Sequence, residues 1–490
     1  MTKPFDVAII GGGINGCGCA ADAALRGLSV VLCEKDDLAS KTSSSSSKLI
    51  HGGLRYLEQF DFSLVKKALN ERQIMLNIAP HIVHPLKFIL PQDKHIRSHW
   101  MLRIGLFLYD NLSRKNQLTK SSYITRKQNP DYFKPLIPTL NQGFAYYDCT
   151  ADDARLTITN AIQAKQHNAE ILTHTEVTHA DIIDNIWHLT VQTKNQKPSV
   201  IRAKTLINAA GPYVEGLNQL LNIPNKQALS LVKGSHIVLK SLYKGNFAYV
   251  LQHNDKRIVF TIPYLGHTLI GTTEIPITGS LDSLQISPAE IDYLLDTVAK
   301  YFNKKPKADQ IITSWSGVRP LLSNPDKTAQ TLTRDYCYHY SAIPAPCVTI
   351  YGGKITTYRL LASKVIDTLD VIFPNIKPSK TDITLLPGAP PDSKSIQDYH
   401  LTLHHAYPWL NKEMLNHYLQ TYGSRAELIL KGCSEIKDLG EHIMGPLYQR
   451  EVEYLIKEEW ATSADDILWR RTKLGLDFNQ EARLKLNAFL

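Results

Sequence analysis

Three glycines and one acidic residue near the start of the chain are spaced for binding a dinucleotide. The apolar run Val7–Ile10 leads into Gly11, Gly13 and Gly16, and a second apolar run ends at Glu34. In such a unit the glycines permit a tight turn, close approach of a pyrophosphate and close packing of a helix, while the acid accepts hydrogen bonds from a ribose. The order of strand, turn, helix, strand and acid favours a nucleotide site over an ordinary glycine-rich turn.

A hydroxyl-rich run follows this unit. Residues 42–48 are one threonine, five serines and a lysine, and residues 51–56 read His-Gly-Gly-Leu-Arg-Tyr. By composition the serines are typical of a flexible linker, but a linker directly after a buried strand and before an apolar segment would be unusual. We expect hydroxyls and backbone N–H groups here, with the helix start, to surround a pyrophosphate and a second ring system. The predicted contacts are Ile14, Asn15, Thr42, Ser43, Ser44, Ser46, Ser47, Lys48, His51, Gly53 and Leu54.

A later strand ends in small residues. The run 205–208 is followed by Ala209, Ala210, Gly211 and Pro212. Small side chains and a Gly-Pro turn permit close approach to a ribose or a phosphate. A plain strand and turn would have the same composition, but pairing with the N-terminal motif favours nucleotide contacts at Ala209 and Gly211.

Four cations recur in short turns, three of them beside glycine or proline. Arg55 follows two glycines, Arg319 lies between Gly317 and Pro320, and Lys354 again follows two glycines. Any one of them alone could be a surface cation or the partner of an acid. Together they suit a dianionic phosphomonoester, because guanidinium groups bind it bidentately and an ammonium adds a point charge. The predicted substrate contacts are Arg55, Tyr56, Thr272, Arg319, Arg334 and Lys354.

The segments between these motifs alternate between helical and extended patterns. Residues 63–78 have apolar positions at helical spacing before Pro80, which predicts a helix. Residues 83–90 are typical of a strand interrupted at Pro85. Residues 143–153 predict a strand and the start of a helix, with Asp152 or Asp153 as its cap and not as a catalytic acid.

Residues 100–109 form the most hydrophobic stretch, flanked by Arg97, His99, Arg114 and Lys115. One interpretation is a buried helix. The other is a monotopic surface helix whose apolar side chains lie among acyl chains while the basic flanks contact anionic headgroups. The sequence leaves both open.

Length and charge limit the classes of protein. A chain of 490 residues is expected to divide into two or three domains. Its 55 Lys and Arg against 46 Asp and Glu give a net charge of +9, which suits an anionic substrate or an anionic membrane surface. No basic tail concentrates this charge, so nucleic acid is not an expected partner.

Cysteine usage and hydropathy suggest the compartment. Seven cysteines without a CxxC pair predict buried thiols in a reducing cytosol, with no metal site. The chain enters its first strand within six residues, without a signal-peptide pattern, and has no apolar run of the roughly 18 residues that a transmembrane helix needs. Any membrane contact is therefore expected from one face.

Five segments of the chain carry a specific family resemblance. They are GGGINGCGCAADAALRGLSVVLCEKDDLASKTSSSSSKLIHGGLRYLE, VKGSHIV, SGVRPLL, LTRDY and YGGKITTYR. These segments resemble the FAD-dependent glycerol-3-phosphate dehydrogenases that feed the respiratory quinone pool, and the similarity runs from about residue 5 to the C-terminus. Glu274 departs from the pattern, because such proteins commonly carry aspartate there.

The resemblance implies FAD as cofactor, oxidation of sn-glycerol 3-phosphate to dihydroxyacetone phosphate, and electron transfer to a membrane quinone. It also implies that the backbone around Val177 meets the adenine end of FAD. The C2 hydride would pass to flavin N5, and a base would remove the hydroxyl proton. His51 and His236 are the candidates for this base, and Arg319 is the alternative because a guanidinium beside the alkoxide lowers the hydroxyl pKa. Near the flavin, the turn with Gly353, Lys354 and Thr356 could reach the pyrimidine edge.

The expected fold is α/β with mixed α+β character. A Rossmann-like FAD-binding domain (about 1–80, 145–215 and 310–385) is interleaved with an antiparallel-sheet substrate domain (about 81–144 and 216–309), as in amino-acid oxidases. A Pro/Gly-rich linker, 386–394, leads to an all-helical domain, 395–490, for support or dimerisation. The protein is expected in the cytoplasm, peripherally bound to the inner membrane surface, and could form a homodimer.

Three other functions fit parts of the sequence. A glycerol-3-phosphate oxidase would differ in passing electrons to oxygen. An amine or amino-acid oxidase would share the fold, but several turn-held cations fit a phosphate better than a monocarboxylate. A membrane-associated flavin-containing regulator or scaffold would bind FAD without being reduced by a substrate.

Overall fold

The computed structural model describes residues 3–92, 99–113, 116–255, 257–282, 284–324, 332–391 and 394–490. The predicted basic flanks Arg97, Arg114 and Lys115 lie outside the described residues. The strands are β1 (Phe5–Ile10), β2 (Val30–Cys33), β3 (Leu49–Ile50), β4 (Val83–Pro91), β5 (Ser122–Thr125), β6 (Gln142–Ala151), β7 (Glu170–Leu172), β8 (Thr175–Ile183), β9 (Ile186–Thr193), β10 (Ser199–Asn208), β11 (Leu229–Lys240), β12 (Phe247–Gln252), β13 (Ile258–Tyr264), β14 (His267–Gly271), β15 (Ile275–Pro276), β16 (Ile311–Leu322), β17 (Tyr336–Ser341), β18 (Cys347–Gly352), β19 (His442–Met444) and β20 (Leu447–Tyr448).

The α-helices connect these strands and dominate the C-terminal part. They are α1 (Ile14–Leu25), α2 (Phe62–Ile78), α3 (His99–Asn111), α4 (Pro130–Phe133), α5 (Asp153–Gln166), α6 (Val214–Leu220), α7 (Pro288–Ala299), α8 (Tyr358–Asp367), α9 (Ile396–Ala406), α10 (Lys412–Tyr422), α11 (Ala426–Leu430), α12 (Gln449–Glu459) and α13 (Gln480–Asn487). A π-helix, Asp466–Arg471, precedes α13.

The first sheet has a parallel centre made from distant parts of the chain. Its order is β17-β18-β10-β1-β2-β7, and β9 and β8 extend it from β10. β1 pairs in parallel with both β2 and β10. The residues 7–10 are buried, as expected for apolar strands covered on both faces, here by helices α1, α5 and α8 on one side. The expected Rossmann-like domain is confirmed.

The second sheet is mixed but mainly antiparallel. Its order is β15-β11-β14-β13-β12-β4-β6-β3, with β16 on β11 and β5 on β6. The long pairing of β11 with β16 joins the segment after β10 to the segment before β17, so the chain crosses between the sheets several times. This is the interleaved arrangement that the sequence predicted.

One local prediction needs correction. The strand at 83–90 is not interrupted, because β4 continues through Pro85. At Pro85, β4 pairs with β6, while its pairing with β12 begins only at Lys87, so a missing N–H on that side breaks no ladder bond. The predicted helix 63–78 is confirmed as α2, and Asp152 caps α5 by accepting a hydrogen bond from the Arg155 N–H.

Helix α3 lies on the surface with one face buried and one face exposed. Leu102, Leu106 and Tyr109 are buried, while Trp100, Ile104 and Phe107 are 68%, 58% and 65% exposed. The exposed residues follow the i, i+4, i+7 spacing of a single helix face. The interpretation of this stretch as a buried helix is therefore wrong. No helix in the described ranges has both the length and the hydropathy needed to cross a bilayer.

The C-terminal domain packs around its own core and against the first sheet domain. Helices α9–α13 and the π-helix surround a core that includes Tyr418, Tyr422 and Leu455, and β19 and β20 add a short hairpin to this helical domain. The described part of the predicted linker is packed against the protein. The Leu386 N–H donates to the Ile78 carbonyl, and Gly388 is buried against Tyr422.

A basic turn at the end of the π-helix joins the C-terminal domain to the loops beside β2 and α5. Arg471 donates to both oxygens of Asp37, and Arg470 also contacts Asp37. Lys473 Nζ lies 3.0 Å from Asp152. These three cations are defined here as the basic turn.

Candidate active site

A cavity of about 1050 Å³ extends from the carboxyl end of β1 to the exposed face of α3. Residues after β1, β10 and β18 of the first sheet form one part of its wall. Residues of β11, β13 and β16 in the second sheet form another part. The cavity is large even for a ligand pocket, and its position at the ends of parallel strands is typical of nucleotide sites.

The glycine turn after β1 is fixed by close backbone contacts. A Cβ at Gly16 would lie 1.9 Å from the Gly11 carbonyl oxygen, so any side chain there would push α1 away from the turn. The Ile14 N–H at the start of α1 donates to Ser43 Oγ at 2.9 Å. The positive end of α1 thus meets the serine run at the cavity, where an anionic pyrophosphate is favoured.

Glu34 lies at the end of β2, where the sequence placed the ribose-binding acid. Its Oε2 accepts from the Gly12 N–H at 2.5 Å, and its Oε1 accepts from the Asp36 N–H at 2.8 Å. Burial raises the pKa of this carboxyl, while the two backbone donors oppose that change. Its side chain lines the cavity.

The serine run is ordered by specific side-chain contacts, so it is not a linker. Thr42 Oγ1 donates to the Val318 carbonyl at 2.8 Å, and Ser46 Oγ donates to Asp153 at 2.7 Å. Lys48 forms a buried ion pair with Asp153 at 2.8 Å. These contacts join the run to β16 and to the N-terminus of α5.

Most of the predicted cofactor contacts line the cavity. They are Gly11, Gly13, Ile14, Asn15, Glu34, Thr42, Ser43, Ser46, Ser47, His51, Gly53, Leu54, Val177, Ala209, Gly211, Gly353 and Lys354. Their individual roles stay predictions, because lining a cavity does not identify the atom that each one contacts.

Four predicted contacts do not line it, and each has a structural reason. Gly16 packs against the Gly11 carbonyl inside the turn. The Ser44 hydroxyl donates to the Lys41 carbonyl, and the Lys48 ammonium is held by Asp153. Thr356 is fully buried, with its Oγ1 accepting from the His51 N–H at 3.4 Å. These four side chains support the loops that form the wall.

The structure brings the four predicted cations to one region of the cavity. Arg55, Arg319, Arg334 and Lys354 all line it, with Tyr56 and Thr272 beside them. Arg319 Nη2 donates to Thr272 Oγ1 at 3.0 Å. The residues come from the turn after β3, the end of β14, β16, the segment before β17 and the turn after β18.

Burial and like charges lower the pKa of two of these cations. Arg319 has its pKa lowered to about 10, chiefly by burial and then by Arg334. Lys354 has its pKa lowered to about 8 by burial, and its Nζ donates to the His51 carbonyl at 2.9 Å. A bound anion would raise the pKa of both side chains, because a nearby opposite charge favours their protonated forms.

The two candidate histidines occupy different positions. His51 lines the cavity, and the pKa of its ring lies well below the usual range because the ring is buried and surrounded by Lys354, Arg72 and other cations. His236 does not line the cavity. Its ring stacks on Trp315, and its Nε2 lies 2.8 Å from Ser47 Oγ. The prediction of His236 as the base is therefore not supported by its position, which suits a support for the serine run.

Sequence reasoning missed several residues of the wall. Glu274 contacts Arg334 directly and lies near Arg55 and Arg319, although the sequence pointed only to its departure from a family pattern. Gly234 was hidden in the VKGSHIV segment, yet a Cβ there would lie 2.8 Å from Arg319 Nη2. The position of Gly234 beside the motif histidine was the available signal. Phe60, Phe62, Met101 and Ile104 add an apolar end to the cavity.

Comparison with known families covers nearly the whole chain. A family described as FAD dependent oxidoreductase matches residues 6–358. A second family, described as the C-terminal domain of alpha-glycerophosphate oxidase, matches residues 379–488. The boundary between the two matches falls before the predicted linker.

Individual relatives agree with these families. The chain is 44% identical to a glycerol-3-phosphate dehydrogenase of Pseudomonas aeruginosa, over 100% of this chain and 96% of that protein. It is 41% identical to a D-erythritol 1-phosphate dehydrogenase of Brucella abortus, over 99% and 97%. Among solved structures, the glycerol-3-phosphate dehydrogenase of Bacillus halodurans complexed with FAD superposes with a TM-score of 0.78 at 24% identity, covering 99% of this chain and 94% of that one. This last similarity concerns the fold.

Proposed function

Because the chain belongs to the FAD-dependent oxidoreductase family, within its glycerol-3-phosphate dehydrogenase branch, we propose that it oxidises sn-glycerol 3-phosphate to dihydroxyacetone phosphate. The observation that carries this proposal is the convergence of Arg55, Arg319, Arg334 and Lys354 on one cavity wall. A dianionic phosphomonoester matches such a cluster in charge and in guanidinium geometry.

FAD is the cofactor, and the residues at the glycine turn fit it. The crowded Gly16, the N-terminus of α1 and the anchored Glu34 leave backbone donors for a pyrophosphate and an acid for a ribose. The turn at Gly353 and Lys354 would hold the flavin end. When bound, the flavin supplies the hydride acceptor.

The protein's part in the reaction is to orient the substrate and to move one proton. Arg55, Arg319 and Arg334 would fix the phosphate, which places the adjacent C2 carbon in one position and orientation. His51 would accept the proton of the C2 hydroxyl, because burial and nearby cations keep its ring neutral. Arrival of the phosphate dianion offsets those cations and raises the His51 pKa toward the working pH, which makes the ring a better base at the moment it is needed. Arg319 would stabilise negative charge developing on the hydroxyl oxygen.

The apolar end of the cavity suits a membrane quinone and contact with the lipid surface. Trp100, Ile104 and Phe107 expose one face of α3, and Phe60 beside it is 80% exposed. Met101, Ile104, Phe60 and Phe62 also belong to the cavity wall, so an apolar acceptor could approach from the lipid side. We therefore place the protein peripherally on the cytoplasmic membrane, facing the cytoplasm.

Two alternatives follow from specific observations. Residues 379–488 match the C-terminal domain of an oxidase, so oxygen is an alternative electron acceptor. Measuring peroxide formation against quinone reduction tests this alternative. Identity of 41% to a D-erythritol 1-phosphate dehydrogenase makes a longer polyol phosphate a competing substrate. Comparison of kcat/KM for the two phosphates decides between them.

The primary test is anaerobic mixing of the FAD-loaded protein with glycerol 3-phosphate. We expect the flavin absorbance to bleach and dihydroxyacetone phosphate to form in equal amount. Sarcosine serves as the control substrate for an amine oxidase. If sarcosine bleaches the flavin and glycerol 3-phosphate does not, the proposal fails; if neither does, a binding or scaffold role takes its place.

A further inference from the structure

Glu274 places a carboxylate inside the cluster of substrate-binding cations. It follows β14, lines the cavity and has a side chain only 9% exposed. Arg334 Nη2 donates to its Oε1. Arg319 Nη1 lies 3.8 Å from Oε1, and Arg55 Nη1 lies 3.9 Å from Oε2. One buried acid is therefore shared by three guanidinium groups.

The geometry points to Glu274 as a positioning residue that holds Arg319 and Arg334 charged and close together for binding the substrate phosphate. This inference rests on the proposed function, since it assigns a role within the same site. Glu274 contacts the arginines and not His51, the proposed base. It therefore acts through the arginines and does not need to touch a reacting atom.

Hydrogen bonding alone does not account for this arrangement. Among the described residues, Arg319 Nη1, Arg334 Nη1 and Glu274 Oε2 are buried without a hydrogen-bond partner. A buried charge without a partner is strongly disfavoured unless a counter-charge lies nearby. The shared carboxylate is that counter-charge, and it leaves capacity on each guanidinium for a ligand.

Charge balance gives the same result. Arg55, Arg319 and Arg334 together carry three positive charges, and Glu274 reduces their sum to two. With Lys354 beside them, the site keeps an excess of positive charge that attracts a phosphomonoester dianion, whose second pKa is near 6. Without the acid, the like charges of Arg319 and Arg334 would repel each other in a buried site, as the effect of Arg334 on the Arg319 pKa indicates.

Arg319 is the cation that depends most on this balance. The titratable groups around it are Arg55, Tyr56, Glu274 and Arg334, with His51 and His236 also near enough to feel its charge. Burial and Arg334 lower its pKa to about 10, while Glu274 acts in the opposite direction. An arginine with a lowered pKa binds phosphate below that pKa and loses its charge as the pH rises through it. Removing Glu274 moves this loss toward neutral pH.

The test compares Glu274→Gln, Glu274→Asp and the control Asp335→Asn in the FAD-loaded protein. Asp335 also lies beside Arg334 in the chain, but its carboxylate pairs with Lys67 at 3.1 Å and it is not part of the cavity wall. Binding of inorganic phosphate is measured from the change in flavin absorbance, and KM and kcat are measured for glycerol 3-phosphate. Each value is measured from neutral pH to about pH 9 and divided by the wild-type value at the same pH. The pH dependence that comes from ionisation of phosphate itself is common to both proteins and cancels in this ratio.

We expect Glu274→Gln to weaken phosphate binding more at the alkaline end than at neutral pH, because Arg319 then lacks the neighbouring negative charge that opposes the lowering of its pKa. KM should follow the same profile, and kcat should also fall at alkaline pH, because Arg319 would stabilise the negative charge that develops on the hydroxyl oxygen. Glu274→Asp keeps the charge and should restore the wild-type profile, and Asp335→Asn should match wild type. A Glu274→Gln profile parallel to wild type, or tighter phosphate binding at every pH, would overturn the inference.

The proposed function can fail separately. If inorganic phosphate shows the expected pH-dependent loss but glycerol 3-phosphate does not reduce the flavin, the substrate assignment is wrong and the role of Glu274 stands. If the flavin is reduced normally and Glu274→Gln has the wild-type profile, the role of Glu274 is wrong.

Discussion

At the scale of single residues, the cations divide between substrate and cofactor roles. Arg319 is held by Thr272 and lies within the arginine cluster, whereas Lys354 contacts the His51 backbone and follows the Gly353 turn. We therefore propose a substrate role for Arg319. Lys354 lies where the two sites meet.

Replacing Arg319 with alanine is expected to damage substrate binding and not FAD binding. Loss of one partner in a buried, charge-assisted contact costs about 2–5 kcal/mol, which corresponds to a fall in kcat/KM of roughly 30-fold or more. Lys354→Ala should also raise KM strongly with FAD retained. Steady-state kinetics and the flavin content of the purified variants check both. Loss of FAD from either one would move that residue to the cofactor site.

Gly234→Ala is expected to act on Arg319 from the neighbouring strand. The new Cβ would lie 2.8 Å from Arg319 Nη2 and 2.7 Å from Thr272 Oγ1, so the guanidinium must shift. We expect KM for glycerol 3-phosphate to rise about tenfold, or roughly 1.4 kcal/mol.

The matched control is Gly216→Ala, because Gly216 also lines the cavity but a Cβ there meets nothing within 4 Å. Equal KM values for the two variants would show that the contact with Arg319 does not matter.

The sequence identified the cations better than their acid. Arg55, Arg319 and Lys354 lie beside glycine or proline, so each has a local signal. Glu274 has none, because its importance comes from three arginines that are distant in sequence. His236 has a motif signal without a place on the cavity wall, since a motif histidine on a strand can face the core as easily as a cavity.

At the scale of elements, the exposed face of α3 is expected to bind membranes. Ile104→Ser with Phe107→Ser removes two exposed apolar side chains, each contributing about 1.5–3 kcal/mol when buried. Partition onto anionic vesicles should fall at least about a hundredfold, while bleaching by glycerol 3-phosphate in solution stays normal. Vesicle sedimentation measures the first effect and stopped-flow absorbance the second.

The control pair for this experiment is Leu401→Ser with Leu484→Ser, which removes two exposed leucines from the C-terminal helices. Equal losses of vesicle binding in both double variants would contradict a specific role for α3.

The basic turn is expected to stabilise the FAD loop as well as the C-terminal domain. Arg471→Gln removes one of the positive charges that pair with Asp37, which lies three residues after Glu34. Breaking a buried ion pair costs about 3–5 kcal/mol. We expect a lower free energy of unfolding and weaker FAD binding, measured by denaturant titration and by reconstitution of the apoprotein. Arg483→Gln, which breaks the exposed pair with Asp465, should change neither quantity measurably.

Stability loss with unchanged FAD affinity in Arg471→Gln would limit the basic turn to holding the domains together. No local pattern in the sequence indicates this contact, because Arg471 and Asp37 are 434 residues apart. In contrast, helix α2 and the cap of α5 follow from local spacing, which explains why both were predicted correctly.

At the scale of the whole molecule, the interleaved domains were predicted from two separated nucleotide motifs together with the family resemblance, and local pattern alone could not predict the strand pairing. Strand β1 lies between β2, its near neighbour in sequence, and β10, almost two hundred residues later. Apolar runs identify such strands but carry no information on which distant strand pairs with which. Two other features also depend on residues that are distant in sequence and that no local pattern indicates. They are the pairing of β11 with β16 and the burial of the predicted linker.

Strand order and the basic turn have a consequence for how the protein is made. The FAD cavity is lined by residues that follow β1, β10 and β18, the last of these in the Lys354 turn. The ion pair of Asp37 forms only after Arg471 has been synthesised. A chain still being synthesised therefore has an incomplete cofactor site until the Lys354 turn has been made. We infer that the chain takes up FAD only after the Lys354 turn has been synthesised.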